Sequence, residues 1–63
     1  MATPLEIRVN QKNHLRSLLK IKKENGTNHV LGLEEEILAV IAIMEQEDIA
    51  WVEKVIGITA IPL

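Results

Sequence analysis

Few side chains in this sequence could carry out catalysis or hold a metal ion. The chain has no cysteine, and its two histidines, His14 and His29, occur without the HxxxH or HxxE spacing of metal-binding helices. Ser17 follows His14 by three positions and could share a helix face with it, but a catalytic triad also needs an oxyanion hole and a pocket. We therefore predict a protein that is not an enzyme and that uses no cofactor and no metal ion.

Three consecutive carboxylates, Glu34, Glu35 and Glu36, form an acidic cluster in the middle of the chain. Adjacent positions of a helix diverge by about 100°, so these three side chains cannot converge on one ion. Acidic side chains do stabilise the first turn of a helix, because the positive end of the helix dipole lies there. The cluster therefore predicts a helix that begins near Leu33 and exposes its carboxylates to solvent.

Basic residues concentrate in the first third of the chain. Residues 1–23 contain six basic side chains and one acidic, whereas residues 24–63 contain one basic and eight acidic. Four basic side chains recur at spacings of 4, 4 and 3, which places them in one stripe on a helix. This basic stripe consists of Lys12, Arg16, Lys20 and Lys23.

We expect the basic stripe to flank the acidic second helix, within one chain or between subunits. The alternative is a surface that binds nucleic acid or another anionic partner. Two features argue against nucleic-acid binding, namely the net charge of −2 and the presence of a single aromatic residue, Trp51.

A run of eight apolar residues, 37–44, needs more cover than one short chain offers. On a helix these side chains point in every direction, so one neighbouring face cannot bury them all. A chain of 63 residues has little else with which to wrap the run, and a second subunit would supply the cover. We therefore expect a homo-oligomer, either a dimer or a tetramer. The predicted interface consists of Ile37, Leu38, Ile41, Met44, Trp51 and Val55.

The segment 11–24 has the features of a first, short helix. Asn10 is a favourable N-cap, no glycine or proline occurs between positions 11 and 24, and Asn25-Gly26 is a typical helix terminator. The inward stripe of this helix consists of Leu15, Leu18 and Leu19.

A second, longer helix is predicted over residues 33–56. Its apolar spacing continues in register past Asp48, which favours one continuous helix. The alternative is a bend near Asp48, which could then cap a separate third helix. Gly57 ends the long helix, and residues 58–63 form an apolar tail that Pro62 excludes from a helix. We expect this tail to dock against its own subunit or a neighbouring one.

The N-terminal residues 1–9 are predicted to be extended. Leu5 to Val9 alternate apolar and charged residues, which is the pattern of a short strand with one buried face. The alternative is an extended arm that packs against a helix. The predicted fold is a single domain over residues 1–63 and is mainly α. It is a helical hairpin of a short and a long helix with an extended or β-like arm, assembled as an intertwined homo-oligomeric bundle.

This order of elements resembles the ribbon-helix-helix family of transcriptional repressors. The strand, the first helix, the turn and the second helix would be Leu5 to Val9, Gln11 to Glu24, Asn25-Gly26 and Glu36-Ile37-Leu38. The resemblance implies a dimer whose paired strands enter the major groove of DNA, with Arg8 and Asn10 facing the duplex. Two departures are the long connection between Gly26 and Glu36 and the carboxylate of Glu6 among the strand residues that would face DNA.

Localisation follows from hydropathy. The longest apolar run has eight residues, which is far below the roughly 20 needed to span a membrane, and the N-terminus lacks the basic region of a secretion signal. We expect a cytoplasmic protein. Its expected function is that of a small oligomeric protein–protein interaction or regulatory module, and the alternative is a DNA-binding repressor.

Overall fold

Three α-helices make up most of this protein. The computed structural model describes residues 3–26, 28 and 30–60, and it places helices at Pro4–Asn25 (α1), Leu33–Ile41 (α2) and Gln46–Ile56 (α3). No strand occurs in these described ranges. The prediction of a mainly helical fold is confirmed.

The helix α1 is long and begins near the N-terminus, so the prediction of an extended N-terminal arm over residues 4–9 is wrong. The side-chain oxygen of Thr3 accepts a hydrogen bond from the Glu6 N–H at 3.2 Å, and Pro4 occupies the first helical position. Asn10, the predicted N-cap, lies inside the helix. The first helix has 22 residues and is the longest of the three, which corrects the predicted order of a short helix followed by a long one.

The predicted helix terminator at Asn25-Gly26 is confirmed. Gly26 has a φ of +59°, and its N–H donates to the carbonyl oxygens of Lys22 and Lys23 at 3.2 and 3.3 Å. A second glycine with positive φ, Gly32, precedes α2. These two positions let the chain reverse between α1 and α2.

The predicted continuous helix over 33–56 is wrong, because the chain turns between Ile41 and Gln46. The last turn of α2 tightens, with the N–H of Met44 bonded to the carbonyl oxygen of Ile41 at 3.3 Å. Glu45 is then extended, with ψ near 142°, and α3 begins. The alternative of a bend near Asp48 followed by a separate third helix agrees with the structure, except that Glu45 is the N-cap and Asp48 lies in the first turn of α3.

The turn allows both shorter helices to pack on α1. His14 and Lys22 of α1 pair with Glu36 and Glu34 of α2, so α2 runs antiparallel to α1. Conversely, α3 runs parallel to α1, because Arg8 contacts Asp48 near the start of both helices and Lys23 reaches the end of α3.

The core is aliphatic and is centred on the middle of α1. Leu15, Leu19, Ile37 and Val52 are fully buried, and they come from all three helices. The complete set of buried apolar residues is Leu15, Leu18, Leu19, Leu33, Ile37, Val40, Met44, Val52 and Ala60. The predicted inward stripe of α1 is therefore confirmed.

The predicted end of the second helical segment is also correct. Gly57 takes a positive φ of 89° directly after α3, and its N–H donates to the Glu53 carbonyl oxygen at 2.7 Å. Within the predicted apolar tail, Ala60 is buried, and its N–H donates to the Glu53 carboxylate at 2.6 Å. Residues 61–63 of the tail and residues 1 and 2 of the arm lie outside the described residues.

Within the described part of the chain, none of the three helices combines the length and the apolar character that a membrane span requires.

Candidate protein-interaction surface

Arg8, in the second turn of α1, contacts the first turn of α3. Its Nε and Nη2 atoms donate to the two carboxylate oxygens of Asp48 at 3.0 and 2.9 Å, and Nη2 also donates to Glu47 at 3.0 Å. Such two-pronged pairing fixes the guanidinium in one orientation. Arg8 was expected to face DNA from a strand. The structure instead places it in a helix, where two carboxylates accept hydrogen bonds from its guanidinium group. Asn10 lies exposed on the same helix.

The same contact sets the electrostatics of this corner. The Arg8 hydrogen bonds and positive charge lower the pKa of the Asp48 carboxyl, although burial of that carboxyl acts in the opposite direction. The side chain of Asp48 is only 8% exposed. The two carboxylates in turn raise the pKa of Arg8. Arg8 and Asp48 are therefore both charged over the whole physiological range and serve as a structural pair.

The basic stripe of α1 is only partly available for binding. Lys23 donates from Nζ to the carbonyl oxygen of Ile56 at 2.8 Å and so satisfies the end of α3. The Nζ atom of Lys12 lies 5.3 Å from the centroid of the Trp51 ring, within the range of a cation–π contact. Arg16 and Lys20 are exposed, and neither forms an ion pair with any residue of the described ranges.

Side chains outside the basic stripe contact the acidic start of α2. Lys22 lies 3.4 Å from Glu34, and His14 lies 3.2 Å from Glu36. Two members of the basic stripe, Lys12 and Lys23, contact α3, which belongs to the predicted second helix. Lys22 and His14, which are not members of the stripe, contact the acidic start of α2. A role of the stripe between subunits stays a prediction. No group of three side chains able to hold a metal ion occurs among the residues that the structure describes.

An apolar and basic surface extends along one side of α1 and α3. On α1, Leu5, Val9, Lys12 and Arg16 follow one another at spacings of 4, 3 and 4, so their side chains share a helix face. The contact between Lys12 and Trp51 places this face beside α3, where Val55 follows Trp51 by one turn. We call this surface the Trp51 face and define it by Leu5, Val9, Lys12, Arg16, Trp51 and Val55.

The Trp51 face exposes several apolar side chains beside its two charged ones. Trp51 is 48% exposed, Val55 is 50% exposed and Leu5 is 70% exposed. Because exposed apolar side chains that are clustered and rimmed by polar ones mark interaction sites more often than scattered ones do, this face is the candidate binding site.

The residues predicted to form an oligomer interface divide into two groups. Ile37 and Met44 are buried in the core of their own chain, Ile41 is partly buried against it, and the other three are about half exposed. The exposed members are Leu38, Trp51 and Val55. The structure brings Trp51 and Val55 together on the Trp51 face, whereas Leu38 lies on α2.

A second apolar surface lies along α3, beside the end of α2 and the turn that connects the two helices. It is an open groove with a volume of about 680 Å³. The groove is lined by Ile41, Ala42, Met44, Gln46, Ile49, Ala50, Glu53 and Thr59. We call it the α2–α3 groove. Trp51 and Glu53 are two positions apart on α3 and therefore point about 200° apart, so the groove and the Trp51 face lie on different sides of that helix.

Sequence reasoning missed Leu5 and Val9 as surface residues, because it placed them in a strand. A usable signal was present, since Thr3-Pro4-Leu5-Glu6 is a capping-box pattern with proline at the first helical position. Starting the helix there puts Leu5 and Val9 one turn apart and in line with Lys12 and Arg16.

Comparison of this chain with protein-family models, with characterised proteins and with solved structures finds no match.

Proposed function

We propose that this protein is a non-catalytic interaction module that binds an acidic, amphipathic helix of another protein on the Trp51 face. The observation that carries the proposal is the half-exposed Trp51 ring, which lies under the Lys12 ammonium group and beside exposed aliphatic side chains. Tryptophan and arginine are enriched among the residues that anchor protein interfaces, and Arg16 belongs to the same face.

The shape of the face favours a helical partner. The helices α1 and α3 run in the same direction, and both expose apolar side chains on the Trp51 face. A third helix can lay its own apolar stripe against them. Leu5 and Val9 lie one turn apart on α1, and Trp51 and Val55 lie one turn apart on α3. This spacing matches that of the apolar stripe of a helix that binds in a groove.

The charge of the face determines which helix fits. Arg16 and Lys20 are exposed, without an ion pair to any described residue, and the Lys12 ammonium group lies over the Trp51 ring. Acidic side chains on the flanks of the partner helix would pair with these groups, whereas a basic partner would be repelled. The partner is therefore an amphipathic helix with aspartate or glutamate beside its apolar stripe.

Trp51 provides a direct assay, because it is the only tryptophan in the chain. The probe is a synthetic helix of about 18 residues with leucine on one face, glutamate on its flanks and no aromatic residue. Burial of Trp51 should shift its fluorescence to shorter wavelength during the titration, and added salt should weaken binding. A control peptide carries lysine in place of glutamate and should not bind.

Two variants of α1 test whether binding occurs on this face. Val9 and Ile21 are both 41% exposed, but only Val9 lies in line with Lys12. Val9→Glu should weaken binding of the acidic peptide at least about tenfold, and Ile21→Glu should leave it unchanged. Equal binding of the acidic and basic peptides, or equal loss in both variants, would contradict the proposal.

A further inference from the structure

The α2–α3 groove has no cover from the other helix. All its lining residues come from α2, α3 and the segments that follow them, and none of them comes from α1. Five of its eight lining residues are apolar, and Ile41 and Ile49 are only partly buried. An apolar groove of this kind is a favourable site for apolar side chains of another molecule.

We propose that the α2–α3 groove receives the Trp51 face of a second copy of this chain, so that self-association and partner binding compete for Trp51. This inference rests on the proposed function, because the second copy covers the same face as the acidic partner helix. In the absence of a partner, the acidic helices of a neighbouring copy take its place.

The charges of the two surfaces are complementary. Glu53 is the charged residue among those that line the groove, and Glu45 is exposed between the lining residues Met44 and Gln46. The Trp51 face instead carries Lys12 and Arg16. The same polarity extends over the elements: α1 contains six basic and two acidic side chains, whereas residues 33–56 contain seven acidic and one basic. Contact between unlike surfaces is thus electrostatically favoured over contact between two grooves or two faces.

The arrangement of the two surfaces determines the kind of assembly. They point to different sides of α3, so a copy cannot fill its own groove. A contact between one copy's face and another copy's groove is heterologous and leaves one free face and one free groove at the ends. Association therefore continues beyond a dimer until a ring closes or the concentration limits it.

Exposed alanines allow the groove to be blocked without disturbing the core. Ala50 lines the groove from α3 and is exposed, whereas Ala39 is exposed on α2 and lies outside the groove. Ala50→Arg should block the groove, and Ala39→Arg is the matched control. Ala42→Arg is a second groove variant, and circular dichroism shows which variants are folded.

Sedimentation equilibrium then measures self-association. The native chain and the Ala39→Arg control should increase in mean mass with concentration, whereas Ala50→Arg and the face variant Val9→Glu should each remain monomeric. A mixture of Ala50→Arg with Val9→Glu should give a one-to-one dimer and nothing larger, because one variant retains a face and the other retains a groove. If the interface were instead symmetric, mixing the two monomeric variants would not restore association.

The acidic peptide separates this inference from the proposed function. It should dissociate the native assembly, and it should bind Ala50→Arg at least as tightly as the native chain because no second copy competes. A native chain that is monomeric up to about 1 mM, or a mixture that yields no dimer, would overturn the inference. Self-association that follows the variants as predicted, together with a peptide that never binds, would contradict the proposed function alone.

Discussion

Arg8 and Asp48 are 40 residues apart in the sequence and form a two-pronged ion pair, with N–O distances of 3.0 and 2.9 Å. The pair connects the first turn of α3 to α1 and fixes which side of α3 lies against α1. With Asp48 held there, Val52, one turn later, is fully buried and Trp51 is left half exposed. The position of the candidate binding face therefore depends on a contact that lies outside it.

Replacing Arg8 should destabilise the fold even though its side chain is partly exposed. Arg8→Lys keeps the charge but cannot make two parallel hydrogen bonds, and Arg8→Ala leaves the nearly buried Asp48 carboxylate without its partner. We expect a melting temperature lowered by several degrees for Arg8→Lys and by more for Arg8→Ala, measured by circular dichroism. Arg16→Ala, which removes an exposed arginine from the same helix, should change it little. Equal melting temperatures for all three variants would contradict a structural role for the pair.

The same pair predicts a pH dependence of stability. Because Arg8 lowers the pKa of Asp48 in the folded chain, the contribution of this carboxylate is fully present above its ordinary pKa of 3.8 and is lost as the pH falls through the folded-state pKa. The native chain should therefore be more stable than Asp48→Asn at neutral pH, and the difference should shrink in acid below that ordinary value. Thermal melts of both proteins from neutral to acidic pH measure this difference, and a gap that widens in acid would contradict the assignment.

One substitution at the N-terminus of α3 should stabilise the fold. Glu45 is the N-cap of α3 and makes no side-chain capping hydrogen bond. Glu45→Ser places a hydroxyl where it can accept from the free N–H groups of the first turn, and it should raise the free energy of unfolding by about 0.5–1 kcal/mol in chemical denaturation. Glu35→Ser, at an exposed position in the first turn of α2, should not stabilise the protein. A loss of stability in Glu45→Ser would show that Glu45 has another role.

Two leucines of α1 test the position of the core. Leu19 is fully buried, whereas Leu5 is 70% exposed. Leu19→Ala should cost about 2–5 kcal/mol, which for a chain of this length is most of its stability, and Leu5→Ala should cost less than about 0.5 kcal/mol. Denaturant unfolding of the two variants measures both values. The comparison is made on dilute protein, because the proposed self-association would cover Leu5 at high concentration. A large loss of stability in Leu5→Ala under dilute conditions would contradict the exposed position of Leu5.

Local features of the sequence were sufficient to predict the helical class, the ends of α1 and α3 and the inward leucines of α1. Gly26 and Gly57 end helices because each adopts a positive φ that other residues resist. Leu15, Leu18 and Leu19 are buried because their spacing places them on one helix face. The N-terminal helix start was also encoded locally, in Thr3-Pro4-Leu5-Glu6, but the alternating residues that follow favoured a strand.

Only the tertiary structure decided how the second half of the chain is arranged and which apolar residues remain outside. The apolar register continues across residues 42–45, so periodicity alone favours one helix. A single continuous helix, however, could pack along α1 in one direction only. Turning at Glu45 brings α3 back along α1, where Asp48 reaches Arg8 and Val52 enters the core. Trp51 is exposed as a result, because the contact that orients α3 joins residues 40 positions apart, and no local pattern of side chains specifies such a contact.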